Sequence, residues 1–391
     1  MSNLLQDAQN LHEQFRRWRR DLHAHPELSG QEEHTAAFLA AELRRLGYVP
    51  VERVGGTFGL AATLRVNDAP AVALRADMDA LPVKEQTGLD FASTRPGVMH
   101  ACGHDAHMAM LLGAAALLMK HRAELRRSVK LIFQPHEEKY PGGAASLIAA
   151  GIVDDVESVF GLHIWSQLPL GTLGTRCGPF MSSVNDLHVI IRGKGGHAAM
   201  PEQTIDPVVV AAHVITALQT VVSRSIALTD PAVVSITQIS AGTADNIIPE
   251  TAVLRGTIRT LSETVRQRVC ARVRALAEGV AAAHGAVAEV DVLPGYPVLV
   301  NDEQVVQRVL RAARQVGFGD DVIQTMEPQG GGEDFAYYGQ QVPAGFAFLG
   351  ARNDAAGCHY PHHHPRFNID EAALPLGAAL LAQFALDAPK V

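Results

Sequence analysis

At 391 residues the chain is long enough for two domains rather than one compact core. Its 47% apolar and 19% charged residues are those of an ordinary globular protein. A net charge of −8, with no long basic run, argues against nucleic acid and anionic membranes as partners. No apolar stretch is expected to span a membrane, since 109–119 is too short and Lys120 ends it. Residues 1–10 lack the basic region and apolar core of a signal peptide. Cys102, Cys177, Cys270 and Cys358 form no dense disulfide framework, so a reducing, cytoplasmic location is expected.

Residues 9–25 place Leu11, Phe15, Trp18 and Leu22 at helical spacing, and His23-Ala24-His25-Pro26-Glu27 ends that helix. A second helix over 32–46 closes at Gly47. Strands are predicted near 59–66 and 71–75. The latter runs into Asp77-Met78-Asp79, where two carboxylates suit either chemistry or a turn. Next comes Met99-His100-Ala101-Cys102-Gly103-His104-Asp105-Ala106-His107. Four side chains that bind divalent metals, His100, Cys102, His104 and His107, fall close together, and Asp105 can orient one of the histidines. Pro96 and Gly97 precede and a helical run, 108–119, follows, so Cys102 and His104 are expected in a loop feeding a helix. Thiolate with imidazole suits zinc, manganese, cobalt or nickel. A His-rich surface turn is the alternative.

The strand 129–133 is of the buried type and ends in Gln134-Pro135-His136-Glu137-Glu138. Successive side chains at a strand end point apart, so one glutamate can bind metal while the other faces substrate. After a helix over 143–150, a strand over 158–163 is expected to end at His163. Three strands ending in ligand-type residues, with helices between, predict an α/β sheet with its site at the carboxyl ends of the strands.

The elements change at about residue 184. Strands over 187–191, 233–239, 251–258 and 287–292 and helices over 207–222 and 265–283 read β-α-β-β-α-β, the ferredoxin-like unit. The links at 180–183 and 293–300 are expected hinges. The chain then returns through a helix over 302–316 to Gln329-Gly330-Gly331-Gly332-Glu333-Asp334-Phe335. Lacking the lysine and hydroxyl residue, this is no nucleotide P-loop. A strand over 344–349, the cluster Cys358-His359-Tyr360-Pro361-His362-His363-His364 and a helix over 371–386 complete the chain. The expected domains are a discontinuous catalytic one, 1–183 with 296–391, and an inserted lid or dimerisation one, 184–295.

The motifs Cys102-Gly103-His104-Asp105, Gln134-Pro135-His136-Glu137-Glu138, Gly161-Leu162-His163, Gly195-Gly196-His197-Ala198-Ala199 and His363-His364-Pro365-Arg366-Phe367 occur in an order that resembles the N-acyl-amino-acid amidohydrolases. That branch of the aminoacylase and carboxypeptidase metallohydrolases includes hippurate hydrolases and auxin-conjugate hydrolases. The resemblance runs from the first helix to the last. It implies a mixed-sheet catalytic domain holding two divalent ions (manganese, zinc, cobalt or nickel) on Cys102, His104, Glu138, His163 and His363, with Cys102 bridging. It implies Glu137 as general base, Asp79 as a supporting acid and His197 as the group that reaches the scissile carbonyl. Asn246 and Arg259 then hold the carboxylate of an N-acyl-L-amino acid. The alternative is a metallocarboxypeptidase, a dipeptidase or an N-acetyl-diaminopimelate deacetylase of the same fold. A metal-binding protein without catalysis would have lost Glu137 or His197, and both are present. The resemblance further implies a homodimer in which paired smaller domains exchange His197, with 184–191 or the adjacent helix as the contact.

Overall fold

The computed structural model describes residues 4–390. The chain forms two compact units. The first comprises the chain through Phe180, Val300–Glu327 and the residues from Asp334 onward; the second comprises Met181–Leu299 and Pro328–Glu333.

The first unit is mixed α/β. Its eight-stranded sheet runs, in spatial order, Pro50–Val54, Gly59–Leu64, Val129–Gln134, Ala71–Asp77, Val156–Pro169, Ala344–Arg352, Leu173–Thr175 and Ile323–Thr325. The four central strands run parallel to one another. Ala71–Asp77 and Val129–Gln134 are buried at every position, as expected of parallel strands covered on both faces. Helices His104–Lys120 and Ala373–Leu386 are buried nearly all round, so they are interior helices rather than amphipathic covers. Phe15, Trp18 and Leu22 fasten the helix His12–Ala24 to the same core.

Three details differ from the sequence reading. The strand through His163 does not end there but continues to Pro169, because Ile164 and Trp165 go on pairing in parallel with Leu349 and Gly350. The short strands Pro50–Val54, Leu173–Thr175 and Ile323–Thr325 were not expected; each has too few residues to show a period. The expectation that no stretch reaches membrane-spanning length fails at Pro207–Ser225, which is long and apolar enough by length and composition. Val210, Val214, Leu218 and Val221 on that helix pack into the core of the second unit, while Thr216, Gln219, Thr220 and Arg224 are exposed.

The second unit is a four-stranded antiparallel sheet in the order Ala232–Ala241, Thr251–Thr260, Ser183–Arg192, Val287–Pro294. Leu187, Val189 and Ile191 alternate into a core completed by helices Pro207–Ser225 and Glu263–Ala283. Asp206 and Ser262 cap those helices with side-chain bonds to Val208 N and Val265 N. The strand Ser183–Arg192 is flanked on both sides, so it has no free edge for symmetric pairing and the expected contact through 184–191 is overturned. The sheet's edges are Ala232–Ala241 and Val287–Pro294.

Helices His104–Lys120 and Ala373–Leu386 approach closely at Gly113, where a Cβ would lie 2.8 Å from Ala378 Cβ and 2.9 Å from Phe15 Cζ. Gly113→Val should therefore lower the unfolding free energy by about 1–3 kcal/mol through overpacking. Urea unfolding checks this, and an unchanged midpoint would contradict the close approach.

Candidate metal centre

The first unit gathers the donors at the carboxyl ends of Ala71–Asp77 and Val129–Gln134. Gly103, left-handed at φ 95°, turns the chain from Cys102 into the helix that begins at His104. Two donor groups, Cys102 with His104 and His163, and Cys102 with Glu138 and His363, each keep their ligand atoms within 4.8 Å, and Cys102 belongs to both. Cys102 Sγ is 3.5 Å from His163 Nε2, and His363 Nε2 is 3.5 Å from Glu138 Oε1. His104 Nε2 lies 3.8 Å from Glu138 Oε1 and 4.0 Å from Glu137 Oε2. Among the described residues, His104 Nε2 and Glu138 Oε1 are buried without a hydrogen-bond partner. Orphaned acceptors beside a thiol, three imidazoles and a carboxylate are the donor chemistry of divalent transition ions.

Asp79 organises this arrangement. Its Oδ1 accepts the N–H of Glu137 at 2.9 Å, and its Oδ2 accepts the N–H of Glu138 at 3.0 Å and the hydroxyl of Ser29 at 2.6 Å. Its backbone carbonyl, 2.8 Å from His104 Nδ1, accepts that ring's proton and leaves Nε2 to face the donors. Burial works against the charge on His104, yet Asp77, Asp79 and Glu138 together push it up to about 10. Burial alone would raise Asp77 too, but His104, His107 and Arg75 hold it well below the ordinary carboxylate range. Burial first, then Glu138, Glu137 and Asp77, raise the Cys102 thiol well above its usual value.

The remaining histidines separate by geometry. His107 Nδ1 bonds Asp77 Oδ1 at 2.6 Å while its Nε2 accepts the Ile164 N–H at 2.8 Å, so both nitrogens are engaged. His100 is fully buried outside every donor group, and burial pushes it down to about 4. In the C-terminal cluster, His362 Nε2 accepts the Ser166 N–H at 3.2 Å, His364 stacks on Tyr360, and His359 lies tilted against the same ring. Only His363, held at φ 67° by its N–H bond to Ala101 O (2.8 Å), joins a donor group. A non-glycine residue held at positive φ is a common mark of a functional position. Asp105 orients no histidine of its own motif; it takes His23 Nδ1 at 2.8 Å and Arg19 Nε at 3.0 Å, both brought by the first long helix.

Supporting residues escaped the sequence reading. Arg75 bridges Asp77 (2.7 Å) and Asp334 (2.9 Å), and Gln134 donates to Asp334 at 2.8 Å, all buried. The signal was an arginine inside the apolar run 71–76. Glu32 accepts the N–H groups of Gly30 (2.9 Å) and His136 (2.8 Å); burial, then the charge of Asp79, push it up to about 7.

The other expected residues lie in the second unit. His197 is exposed on the two-residue strand Gly196–His197, which pairs with Ile247–Ile248. The Ala199 N–H donates to His197 Nδ1 at 3.1 Å, which leaves the ring proton on Nε2. Asn246 accepts the Ala198 N–H on its backbone carbonyl at 3.1 Å. Arg259 is half-buried at the end of Thr251–Thr260.

The family model described as peptidase family M20/M25/M40 matches residues 73–387. The chain belongs to this family. It is 42% identical over 374 residues to the N-acetylcysteine deacetylase of Bacillus subtilis, covering 94% of this chain and 95% of that protein. It is 41% identical over 388 residues to thermostable carboxypeptidase 1 of Saccharolobus solfataricus, covering 98% of each. Its fold matches, at TM-score 0.85 and 38% identity over 97% of this chain and 98% of the other, a Bacillus subtilis protein described as a dinuclear metal binding peptidase from the M20 family.

Arg19 and Asp105 form a buried pair, and Arg19 and His23 outweigh burial to hold Asp105 far below its ordinary value. Asp105→Asn should cost about 1.5–3 kcal/mol, because Arg19 keeps Glu371 at 3.2 Å but loses a charged, buried hydrogen-bond partner. The pKa is depressed in the folded state, so this stability is present above about pH 3.9 and is lost as pH falls through the native value. Urea unfolding should give the full difference from the wild type at pH 6 and a smaller one at pH 3; equal differences would contradict the depressed value.

Proposed function

We propose that the chain is a metal-dependent amidohydrolase that cleaves N-acyl-L-amino acids into a carboxylic acid and a free amino acid. The observation that carries this is the sharing of Cys102 between two donor groups. The family membership and the 42% identity to a deacetylase of an N-acylated amino acid support it. The 41% identity to a carboxypeptidase keeps a second reading, cleavage of a C-terminal peptide bond. Both reactions break an amide next to a free α-carboxylate, and the alternative substrates, dipeptides and N-acetyl-diaminopimelate, share that group.

Cys102, His104, Glu138, His163 and His363 would hold two divalent ions, manganese, zinc, cobalt or nickel, and Cys102 is common to both donor groups. Such ions, when bound, polarise the amide carbonyl and make water more acidic. Glu137 takes a proton from the attacking water as the carbon–oxygen bond forms, and delivers it to the nitrogen as the carbon–nitrogen bond breaks. Asp79 fixes the Glu137–Glu138 backbone, so both carboxylates keep their direction. His197 offers its Nε2–H to the carbonyl oxygen as that atom becomes negative, an effect worth about 3–4 kcal/mol for one donor. Arg259 and Asn246 hold the substrate carboxylate. We assign the first unit as the catalytic domain and the second as an inserted ferredoxin-like lid and dimerisation domain, with a cytoplasmic homodimer as the working form.

Assay of an N-acyl-amino-acid panel after reconstitution with manganese, cobalt or zinc tests the function directly. Glu137→Gln should cut turnover by about 10²–10⁴ while two ions per chain remain bound. Glu138→Gln should lose an ion as well as activity. Full activity with one ion per chain, or normal metal content in both variants, would refute these assignments.

The exchange of His197 between subunits has its own test. Mixing inactive His197→Ala and Glu137→Ala chains should restore activity at one of the two sites of each mixed dimer. Demonstrated subunit exchange with no recovered activity would place the action of His197 within its own chain.

A further inference from the structure

Within the second unit, the end of the helix Pro207–Ser225, the start of the strand Ala232–Ala241 and residues 328–330 enclose a cleft of about 670 Å³. Small-molecule pockets span roughly 300–1,000 Å³. Arg259 lines this cleft. Among the described residues its half-buried guanidinium makes no hydrogen bond or ion pair, although a buried guanidinium ordinarily finds a partner. The polar neighbours are already committed: Ser182 Oγ donates to Gly330 O at 2.7 Å, and Thr260 Oγ1 pairs with Ser183 Oγ at 2.8 Å. Much of the remaining wall is apolar, formed by Val222, Ile226, Leu228 and Val233. Leu228 is 102% exposed and Val233 49% exposed, so apolar surface faces the solvent at this cleft. Asp230, 4.0 Å from Arg268, supplies an acid at the rim.

This inference rests on the reading of Arg259 as the carboxylate anchor, and it asks where the rest of the amino acid must go. In an α-amino acid the side chain leaves from the carbon bonded to the carboxylate. Its first atom is two bonds from the carboxylate carbon, about 2.5 Å away at ordinary bond lengths. A carboxylate on Arg259 therefore brings the side chain into the same cleft, whereas the acyl group leaves through the nitrogen. We propose that Val222, Ile226, Leu228 and Val233 form the pocket for the amino-acid side chain and select N-acyl derivatives of apolar amino acids, such as leucine, methionine and phenylalanine. Asp230 adds repulsion against acidic side chains.

The test uses the metal-reconstituted full chain and acetylated substrates that differ only in side chain. N-acetylglycine has no side chain and reports the anchor and the chemistry alone. Wild type should favour N-acetyl-leucine over N-acetyl-aspartate in kcat/KM by about tenfold to a hundredfold. Leu228→Arg and Val233→Arg, both at exposed positions, should each lower that ratio about tenfold or more. Arg259→Met should raise KM for every substrate, N-acetylglycine included. A wild type that takes aspartate or arginine derivatives as well as leucine derivatives overturns the apolar pocket. So does an unchanged ratio in both arginine variants while Arg259→Met behaves as expected. An Arg259→Met enzyme with normal KM removes the anchor, and with it both the reading and this inference.

Discussion

One carboxylate holds the candidate centre in shape. Asp79 accepts two successive backbone N–H groups from the turn that carries Glu137 and Glu138, takes the Ser29 hydroxyl, and offers its own carbonyl to His104. It thereby fixes three segments that are distant in sequence: the end of a central strand, a turn after its neighbour, and the first residue of a buried helix. Its ionised form is favoured despite full burial, because every bond that reaches its side chain comes from a donor. The crowding of Asp77, Asp79, Glu137 and Glu138 would repel without opposing charge. Arg75 supplies part of it, and divalent ions are the natural remainder.

Much of this was legible in the sequence for definite reasons. Helical spacing in 9–25 and the apolar runs at 71–76 and 129–133, each interrupted by one basic residue, survive folding, because the same side chains that show the pattern fill the core. The donors stood out because Cys102, His104 and Glu138 are uncommon at the ends of apolar elements. Other features depend on partners no local window contains. Arg75 inside a buried strand looks misplaced until Asp334, 259 residues later, is brought beside it. His104 and His107 lie on one helix, and only packing decides that His107 spends both nitrogens on Asp77 and Ile164. Strand order in the second unit was equally hidden. Alternation shows which face of Ser183–Arg192 is buried, but not that neighbours lie on both of its edges.

The residues of the proposed mechanism are divided between the two units. Cys102, His104, Glu138, His163 and His363 belong to the first, while His197, Asn246 and Arg259 belong to the second. The first unit is built for rigidity, with a sheet buried on both faces and helices buried nearly all round. The second keeps its functional candidates on short or exposed elements, such as the two-residue strand that carries His197.

The bond from the Ala199 amide to His197 Nδ1 has a consequence for proton traffic. In the neutral ring it places the hydrogen on Nε2, the nitrogen that the proposed mechanism turns to the carbonyl oxygen. A neutral imidazole that only lends a hydrogen bond also finishes each cycle as it began, with nothing to regain from solvent. On the proposed mechanism, the whole transfer from water to the departing amine then passes through the single carboxylate of Glu137. On that reading the imidazole acts by the direction of its Nε2–H, set by the turn at Ala199, rather than by giving up a proton.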